Sequence, residues 1–340
     1  MKTTVIGMDI AKHVFQLHRV DPQTGEIARV KLKRTQVAPW FAQHPPCRVA
    51  MEACGGAHHW ARTLAALGHT VTLLPPRAVR PFVQRNKTDA ADAQAIWIAS
   101  QQPGLRPVAV KTETQQSVLA LHRLRAQLLK LRIMQTNALR GILSEFGHVL
   151  PEGHAALLKA WPRVLADAEP QLPAALMVSL REQRQRVDHL QEDIDALEQR
   201  LQQSLRDTPA CRRVAEIPGV GVLTATAVVA TMGSPAAFAN GREFAAWTGL
   251  VPRQTGTGGR IRQQGISKRG DRYLRTLLMH AARSIVRRAE ALHWPWLLAL
   301  LQRRPYNVAV AAVANKLART IWAVLAHGAS YRPSAWQATT

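Results

Sequence analysis

Along the N-terminal part of the chain, hydrophobic and polar positions fall into short β-rich runs, and further on the spacing changes to a helical one. Thr3 to Ile10, Val14 to Val20 and Ile27 to Leu32 read as strands, with turn signals at Asp21-Pro22 and Gly25, so an opening β-meander is expected. Val37 to Gln43 fits a short helix. Arg48 to Met51 fits a fourth, buried strand, closed by Glu52 ahead of Gly55-Gly56. His59 to Leu67 carries apolar residues at helical spacing and stops at Gly68. Thr70 to Leu74 is a fifth strand, ended by Pro75-Pro76. A basic segment, Arg77 to Lys87, leads into an alanine-rich helical run that starts at Asp89.

From Thr112 the pattern is helical. Leu121, Leu124, Leu128 and Leu131 recur at three and four, as do Val187, Leu190, Ile194, Leu197 and Leu201, the spacing of a coiled-coil seam. Pro151, Pro162, Pro170 and Pro173 lie between the two rows and predict the turn of a long helical hairpin. Beyond it, Ile217-Pro218-Gly219-Val220-Gly221 opens an apolar helix and resembles a helix-hairpin-helix element. Gly219 and Gly221 would let the backbone approach a nucleic-acid strand, and the helix N-terminus offers N–H groups to a phosphate. A plain glycine-containing helix–helix turn is the alternative. Val251 to Arg262 carries three glycines around Thr257 and is expected as a mobile loop, followed by an Arg-studded helix from Tyr273 to Arg288. The pattern predicts an α/β domain over 1–110, a helical coiled-coil linker and dimerisation arm over 111–205, and a mainly α domain over 206–340.

Charge changes the picture most. The 340 residues carry a net charge of +23. Residues 206–340 hold 19 Lys and Arg against 5 Asp and Glu, residues 1–110 hold 14 against 6, and the middle is nearly neutral. Two basic ends around a neutral spacer point to binding of a polyanion, that is, nucleic acid. Three scattered cysteines, Cys47, Cys54 and Cys211, give neither a disulfide framework nor a zinc spacing. The apolar run from Val308 to Leu325 is interrupted by Asn315, Lys316 and Arg319, so no membrane span is expected. The chain enters a strand almost at once with no leader, and a cytoplasmic protein is expected.

The candidate chemistry lies in four acids. Asp89 and Asp92 sit three apart at a helix start, on nearly one face, where the helix dipole tolerates them and a divalent cation would offset their repulsion. Asp9 lies on the first strand and Glu52 at the end of the fourth. Three strands, helix, strand, helix, strand, helix is the order of the ribonuclease-H-like fold, in which these acids could converge at one sheet edge. Four carboxylates there would hold two Mg²⁺ about 4 Å apart around a phosphodiester. Taken singly, each acid also fits a cap or a plain surface position.

Several motifs make the chain resemble the transposases of bridge-RNA-guided insertion sequences: Gly7-Met8-Asp9-Ile10-Ala11-Lys12, Met51-Glu52-Ala53, Asn86-Lys87-Thr88-Asp89-Ala90-Ala91-Asp92-Ala93, Ile217-Pro218-Gly219-Val220-Gly221, Gly249-Leu250-Val251-Pro252-Arg253 and Ser267-Lys268-Arg269-Gly270. The resemblance covers nearly the whole chain. It implies a DEDD ribonuclease-H-like domain with Asp9, Glu52, Asp89 and Asp92 as catalytic, Mg²⁺-binding acids, joined to a serine-recombinase-like C-terminal domain. It also implies DNA cleavage through a covalent protein–DNA intermediate, with a guide RNA choosing double-stranded donor and target, in a homo-oligomer (dimer or tetramer). The family's nucleophilic serine stands just before a glycine; the matching position here is Thr257, preferred as nucleophile, with Ser267 as the nearest alternative. Expected nucleic-acid contacts are Lys87, Gly219, Gly221, Arg253, Arg260, Arg262, Lys268, Arg269 and Arg272. The rival reading is a metal-dependent, Holliday-junction-type endonuclease with no covalent intermediate. A non-catalytic architectural protein would have no need of the acids.

Overall fold

The computed structural model describes residues 4–83, 88–258, 260–333 and 336, so Lys87 lies outside the described residues. The chain divides into two compact units, Met1–Glu113 and Thr114–Thr340. The helices of the expected arm therefore group with the C-terminal part.

In the first unit, strands β1 (Val5–Ile10), β2 (Val14–Val20), β3 (Ile27–Lys33), β4 (Arg48–Glu52) and β5 (Thr70–Leu74) form one sheet in the order β3-β2-β1-β4-β5. β1, β2 and β3 pair antiparallel through short connections, that between β2 and β3 being the tight turn at Asp21 to Gly25, and β4 and β5 add in parallel after helical crossovers. Helices α1 (Val37–Ala42) and α2 (Ala57–Ala66) supply those crossovers. Strand alternation sends Ile6, Met8, Phe15, Leu17, Val49 and Met51 to one face, where Trp60, Ala61 and Leu64 of α2 cover them. The short α3 (Pro76–Val79) follows β5, and α4 (Asp89–Ser100) covers the opposite face, burying Ala95, Ile96 and Ala99 against Ala50 and Leu74.

The second unit is mostly helical. α5 (Glu113–Glu145) and α7 (Ala174–Asp207) run antiparallel, joined by the Arg125–Glu198 ion pair at 2.6 Å and by Arg132–Gln191 and Gln135–Gln183 hydrogen bonds. The expected leucine seam is only half present. Val187, Ile194, Leu197 and Leu201 of α7 are buried, whereas Leu124 and Leu131 of α5 are 49% and 41% exposed. The proline-rich connection also differs from a plain turn: it holds a third helix, α6 (His154–Ala168), with Pro162 inside it. Leu157, Trp161, Val164 and Ala168 of α6 bury against Leu139, Leu143, Met177 and Leu180, and that burial offsets the backbone bond Pro162 cannot make.

The remaining helices are α8 (Pro209–Ala215), α9 (Val222–Met232), α10 (Gly241–Trp247), α11 (Arg272–Arg287), α12 (Ala289–Leu292), α13 (Pro295–Arg303) and α14 (Tyr306–His327). They enclose one core that includes Phe244, Leu274, Leu278, Ile285, Val313, Leu317 and Ile321. Among the described residues α14 alone is long and apolar enough to cross a membrane; here Val310, Val313, Ala314, Leu317 and Ile321 put it at the centre of that core. The expected mobile loop is instead an antiparallel hairpin of β6 (Pro252–Thr257) and β7 (Arg260–Ile266), in which Gly258 takes the positive φ of 57° that a tight hairpin turn requires.

Candidate active site

The acid cluster is built by one close approach. Gly7 and Asp9 lie on the sheet face opposite Met8, the face that α4 covers. A Cβ on Gly7 would stand 2.4 Å from the Ala93 carbonyl oxygen and 2.7 Å from the Trp97 nitrogen, so only glycine allows α4 to lie this close. The Trp97 indole N–H donates to the Val5 carbonyl at 3.1 Å and fixes the far half of the helix. At its start, the Thr88 hydroxyl accepts from the Ala91 N–H at 3.3 Å, a side-chain cap that sets where helical geometry begins. Asp89 and Asp92 fill the first turn next to Ala93 and are carried towards Asp9.

As a result, Asp9, Asp89 and Asp92 each offer a carboxylate oxygen, all within 4.8 Å of one another. Glu52 is not in that mutual set. The parallel register Met8↔Met51 puts it one residue on, at the neighbouring strand end, where it adds to the negative field on Asp9. The carboxyl of Asp9 is pushed up to about 6, first by burial, then by Asp92 and Asp89, with a smaller push from Glu52; the Ile10 N–H works in the other direction. The donors are all carboxylate oxygens, a set that suits a hard divalent cation rather than a thiophilic one. Such a cation would relieve the repulsion that the fold imposes on the three groups.

In the second unit the two candidate hydroxyls occupy very different places. Thr257 ends β6 at the exposed tip of the hairpin, paired across the strands with Arg260, and Thr255 pairs with Arg262. Cross-strand partners share a face, so Thr257 stands on the side of the ribbon that carries Arg260 and Arg262. Ser267 lies at the hairpin's base. Its hydroxyl is buried and finds no hydrogen-bond partner among the described residues, and its N–H donates to the Val251 carbonyl at 2.8 Å.

The motifs around Ser267 form a clasp. The Lys268 N–H donates to the Gly249 carbonyl at 3.1 Å, and the Arg275 guanidinium donates to the carbonyls of Thr248 and Arg269, both at 3.1 Å. A Cβ on Gly249 would lie 2.1 Å from the Arg269 carbonyl oxygen, and one on Gly270 would lie 1.8 Å from that of Trp247. The two motifs thus cross backbone on backbone and hold the hairpin up. Arg253, Lys268, Arg269 and Arg272 are exposed around it.

Gly219 has a packing reason for being glycine beside the one expected from sequence. It takes a φ of 82°, and a Cβ there would meet Ile285 at 2.7 Å and the Ala281 carbonyl oxygen at 2.8 Å. Its Cβ side packs against α11, and the residue stays half-buried. Gly221, at the N-cap of α9, has open space around it and remains accessible.

Sequence reasoning missed two features. Gly7 was part of a quoted motif, yet its part in placing α4 depends on a helix far along the chain. His122 of α5 is buried, with Nδ1 2.9 Å from the Tyr273 hydroxyl and Nε2 3.0 Å from the Thr226 hydroxyl, which itself donates to the Val222 carbonyl. A single histidine in a long helix gives no periodic signal for such a network.

Residues 6–148 match the DEDD, IS110-type transposase family model, and residues 211–295 match that of the Transposase IS116/IS110/IS902 family. The DEDD family implies a ribonuclease-H-like fold for the sheet domain. Similar proteins include a probable family 20 transposase of Pseudomonas aeruginosa, 46% identical over 338 residues, which spans 98% of this chain and 100% of the relative. The transposase for insertion sequence element IS1328 of Yersinia enterocolitica is 39% identical, spanning 96% of this chain and 97% of that one. The transposase for element IS1111A of Coxiella burnetii is also 39% identical, with 96% and 91% spanned.

Proposed function

We propose, for a chain that belongs to the IS116/IS110/IS902 family of insertion-sequence transposases, that its acid cluster and its hairpin hydroxyl serve one strand-transfer reaction. Membership implies DNA strand cleavage and transfer. The observation that carries the finer reading is the convergence of Asp9, Asp89 and Asp92 within 4.8 Å. These three, with Glu52 beside them, would hold Mg²⁺. When bound, the cation supplies Lewis-acid stabilisation of charge on a phosphodiester oxygen.

Thr257 is the nucleophile in this reading, and its exposure at the hairpin tip supports that choice over the buried hydroxyl of Ser267. Its oxygen forms a bond to phosphorus while the bond to one DNA oxygen breaks. The hydroxyl proton leaves with a base, and the departing DNA oxygen takes up a proton. Rejoining is the reverse step with a different strand end. Arg260 and Arg262, on the same ribbon face, are placed to neutralise phosphate charge as it develops. Threonine's secondary hydroxyl is bulkier than serine's, and a freely exposed position compensates for that.

Double-stranded donor and target DNA are the substrates and an RNA encoded with the element is the guide, both in keeping with the basic balance of residues 206–340. The helices of residues 111–205 act as the arm of a dimer or tetramer. The half-exposed Leu124 and Leu131 of α5 and the exposed Met134 supply an apolar row for a second copy. The experiment is a strand-cleavage reaction on suicide DNA in Mg²⁺ or chelator. A covalent protein–DNA adduct that needs both the cation and Asp92 supports the reading. Cation-dependent cleavage with no adduct supports a junction-type endonuclease in its place.

A further inference from the structure

The second unit contains a groove of about 1760 Å³ that neither the acid cluster nor the hairpin tip occupies. One face of α14 forms its floor. Val310, Val313, Ala314 and Leu317 turn into the core, while Ala311, Ala312, Asn315, Lys316 and Arg319 line the groove. The wall on one side is the start of α10, with Arg242. It lies against α14 because Gly241 has no side chain: a Cβ there would stand 2.9 Å from the Arg319 carbonyl oxygen. The hairpin base gives the other wall, with Arg253 and Lys268, and α13 adds Trp296 with Arg304 just after it.

The charge is one-sided. Arg242, Arg253, Lys268, Arg304, Lys316 and Arg319 line the groove, and among the described residues none that lines it is acidic. Lys316 is the most telling. Its ammonium lies 4.4 Å from the Trp296 ring centre and 5.1 Å from that of Trp336, held by aromatic faces instead of a carboxylate. Burial, and then the charge of Arg319, lowers its pKa, so the cation is kept where an incoming anion would stabilise it. The lining also carries the side-chain amides of Gln263 and Asn307, and those of Gln264 and Asn315, which donate to the Thr255 hydroxyl and the Leu250 carbonyl and keep their oxygens as acceptors. Cations alone would serve any polyanion. Amides and a tryptophan inside a concavity match the Watson–Crick edges and the faces of bases, which only an unpaired strand presents.

We propose that this groove binds a short single strand of nucleic acid, its phosphates against Arg242, Arg253, Lys268, Arg304, Lys316 and Arg319 and its bases over Trp296 and the amides. The inference rests on the transposase reading for the nature of the partner, and it adds a binding site distinct from the reacting groups. The volume fits a run at the low end of the roughly 4–16 nucleotides that such grooves hold. RNA and DNA share this chemistry, and the test separates them.

The experiment is fluorescence anisotropy of the full chain with a labelled oligonucleotide of about eight nucleotides, as single-stranded DNA, as single-stranded RNA and as duplex. Two double variants of equal charge change are compared: Arg242→Glu/Arg304→Glu in the groove, and Arg260→Glu/Arg262→Glu on the hairpin tip. The groove variant is expected to weaken single-strand binding about tenfold or more and to lower the salt slope by about two, one per lost phosphate contact. The hairpin variant should weaken it far less. Stronger binding of RNA identifies the strand as RNA, stronger binding of DNA as an unpaired DNA end, and either outcome supports the site. Equal losses in the two variants, no loss in the groove variant, or a duplex affinity that falls as much as the single-strand affinity overturns it. A missing covalent adduct would count against the transposase chemistry alone, since these affinities are read without cleavage.

Discussion

Gly7 and Ala93 approach so closely that a Cβ on the first would lie 2.4 Å from the carbonyl oxygen of the second. The contact joins β1 to α4, and each residue is next but one, or next, to a carboxylate of the cluster. Gly7→Ala must therefore lift α4 or shear it along the strand. Overpacking of this kind costs about 1–3 kcal/mol, and the cluster should open with it. The expected result is a lower urea midpoint together with weaker Mn²⁺ binding in calorimetry. An unchanged Mn²⁺ affinity would show that the glycine does not set the site.

Three carboxylates held within 4.8 Å repel one another when no cation is present. Asp92→Asn removes one of the charges and leaves the shape. In chelator the variant should melt a few degrees higher than the parent chain, the size of effect expected for about 1 kcal/mol. Added Mg²⁺ should raise the midpoint of the parent and leave that of the variant almost unmoved. Equal Mg²⁺ shifts in the two proteins would place the cation elsewhere.

His122 gives a pH dependence with a definite sign. Burial, and after it the charge of Arg125, lowers its pKa from 6.5 to about 4. Above pH 6.5 the ring is neutral in both states, and the fold has its full stability. As pH falls from 6.5 towards 4 the unfolded chain takes up a proton that the folded one refuses, so stability declines, by up to about 3 kcal/mol at roughly 1.4 kcal/mol per pH unit. His122→Gln, which keeps hydrogen-bonding capacity, should flatten that decline in urea titrations run at pH 7 and pH 4.5. A variant with the same slope as the parent would assign the titration to other groups.

The sheet was legible in the sequence because its strands are short β-rich runs bounded by Pro, Gly or Asp signals, and the acids stood out because strand ends and helix starts are where a carboxylate can reach a shared point. Asp9, Asp89 and Asp92 meet as that logic expects. The hairpin was not legible as β structure. Pro252 to Thr257 and Arg260 to Ile266 are exposed almost throughout, so no apolar period marks them, and glycines that serve the turn and the close pairing looked like looseness. Pro162 hid α6 for a related reason: proline weighs heavily in a local reading, whereas burial of Leu157, Trp161 and Val164 decides the outcome. Gly219 and Ser267 show the limit from the other side. Both belong to conspicuous motifs, but the packing of the one against α11 and the place of the other in the clasp beneath the hairpin depend on distant residues and leave no local signal.

The clasp itself can be tested apart from the chemistry. Ser267 has a buried hydroxyl without a partner among the described residues, so Ser267→Ala should be near neutral in stability and should keep strand cleavage. Gly270→Ala, which drives a Cβ into the Trp247 carbonyl, should destabilise the second unit and lose cleavage while Mg²⁺ still binds. Loss of activity in Ser267→Ala with full stability would give Ser267 a direct part in the reaction.

The most direct measurement is peptide mapping of the trapped protein–DNA adduct by mass spectrometry. The account predicts a nucleotide phosphate on the Thr257 oxygen, an adduct absent from Thr257→Ala and from Asp92→Asn, and one retained in Thr257→Ser. A phosphate mapped to Ser267, or full cleavage by Thr257→Ala, would contradict it.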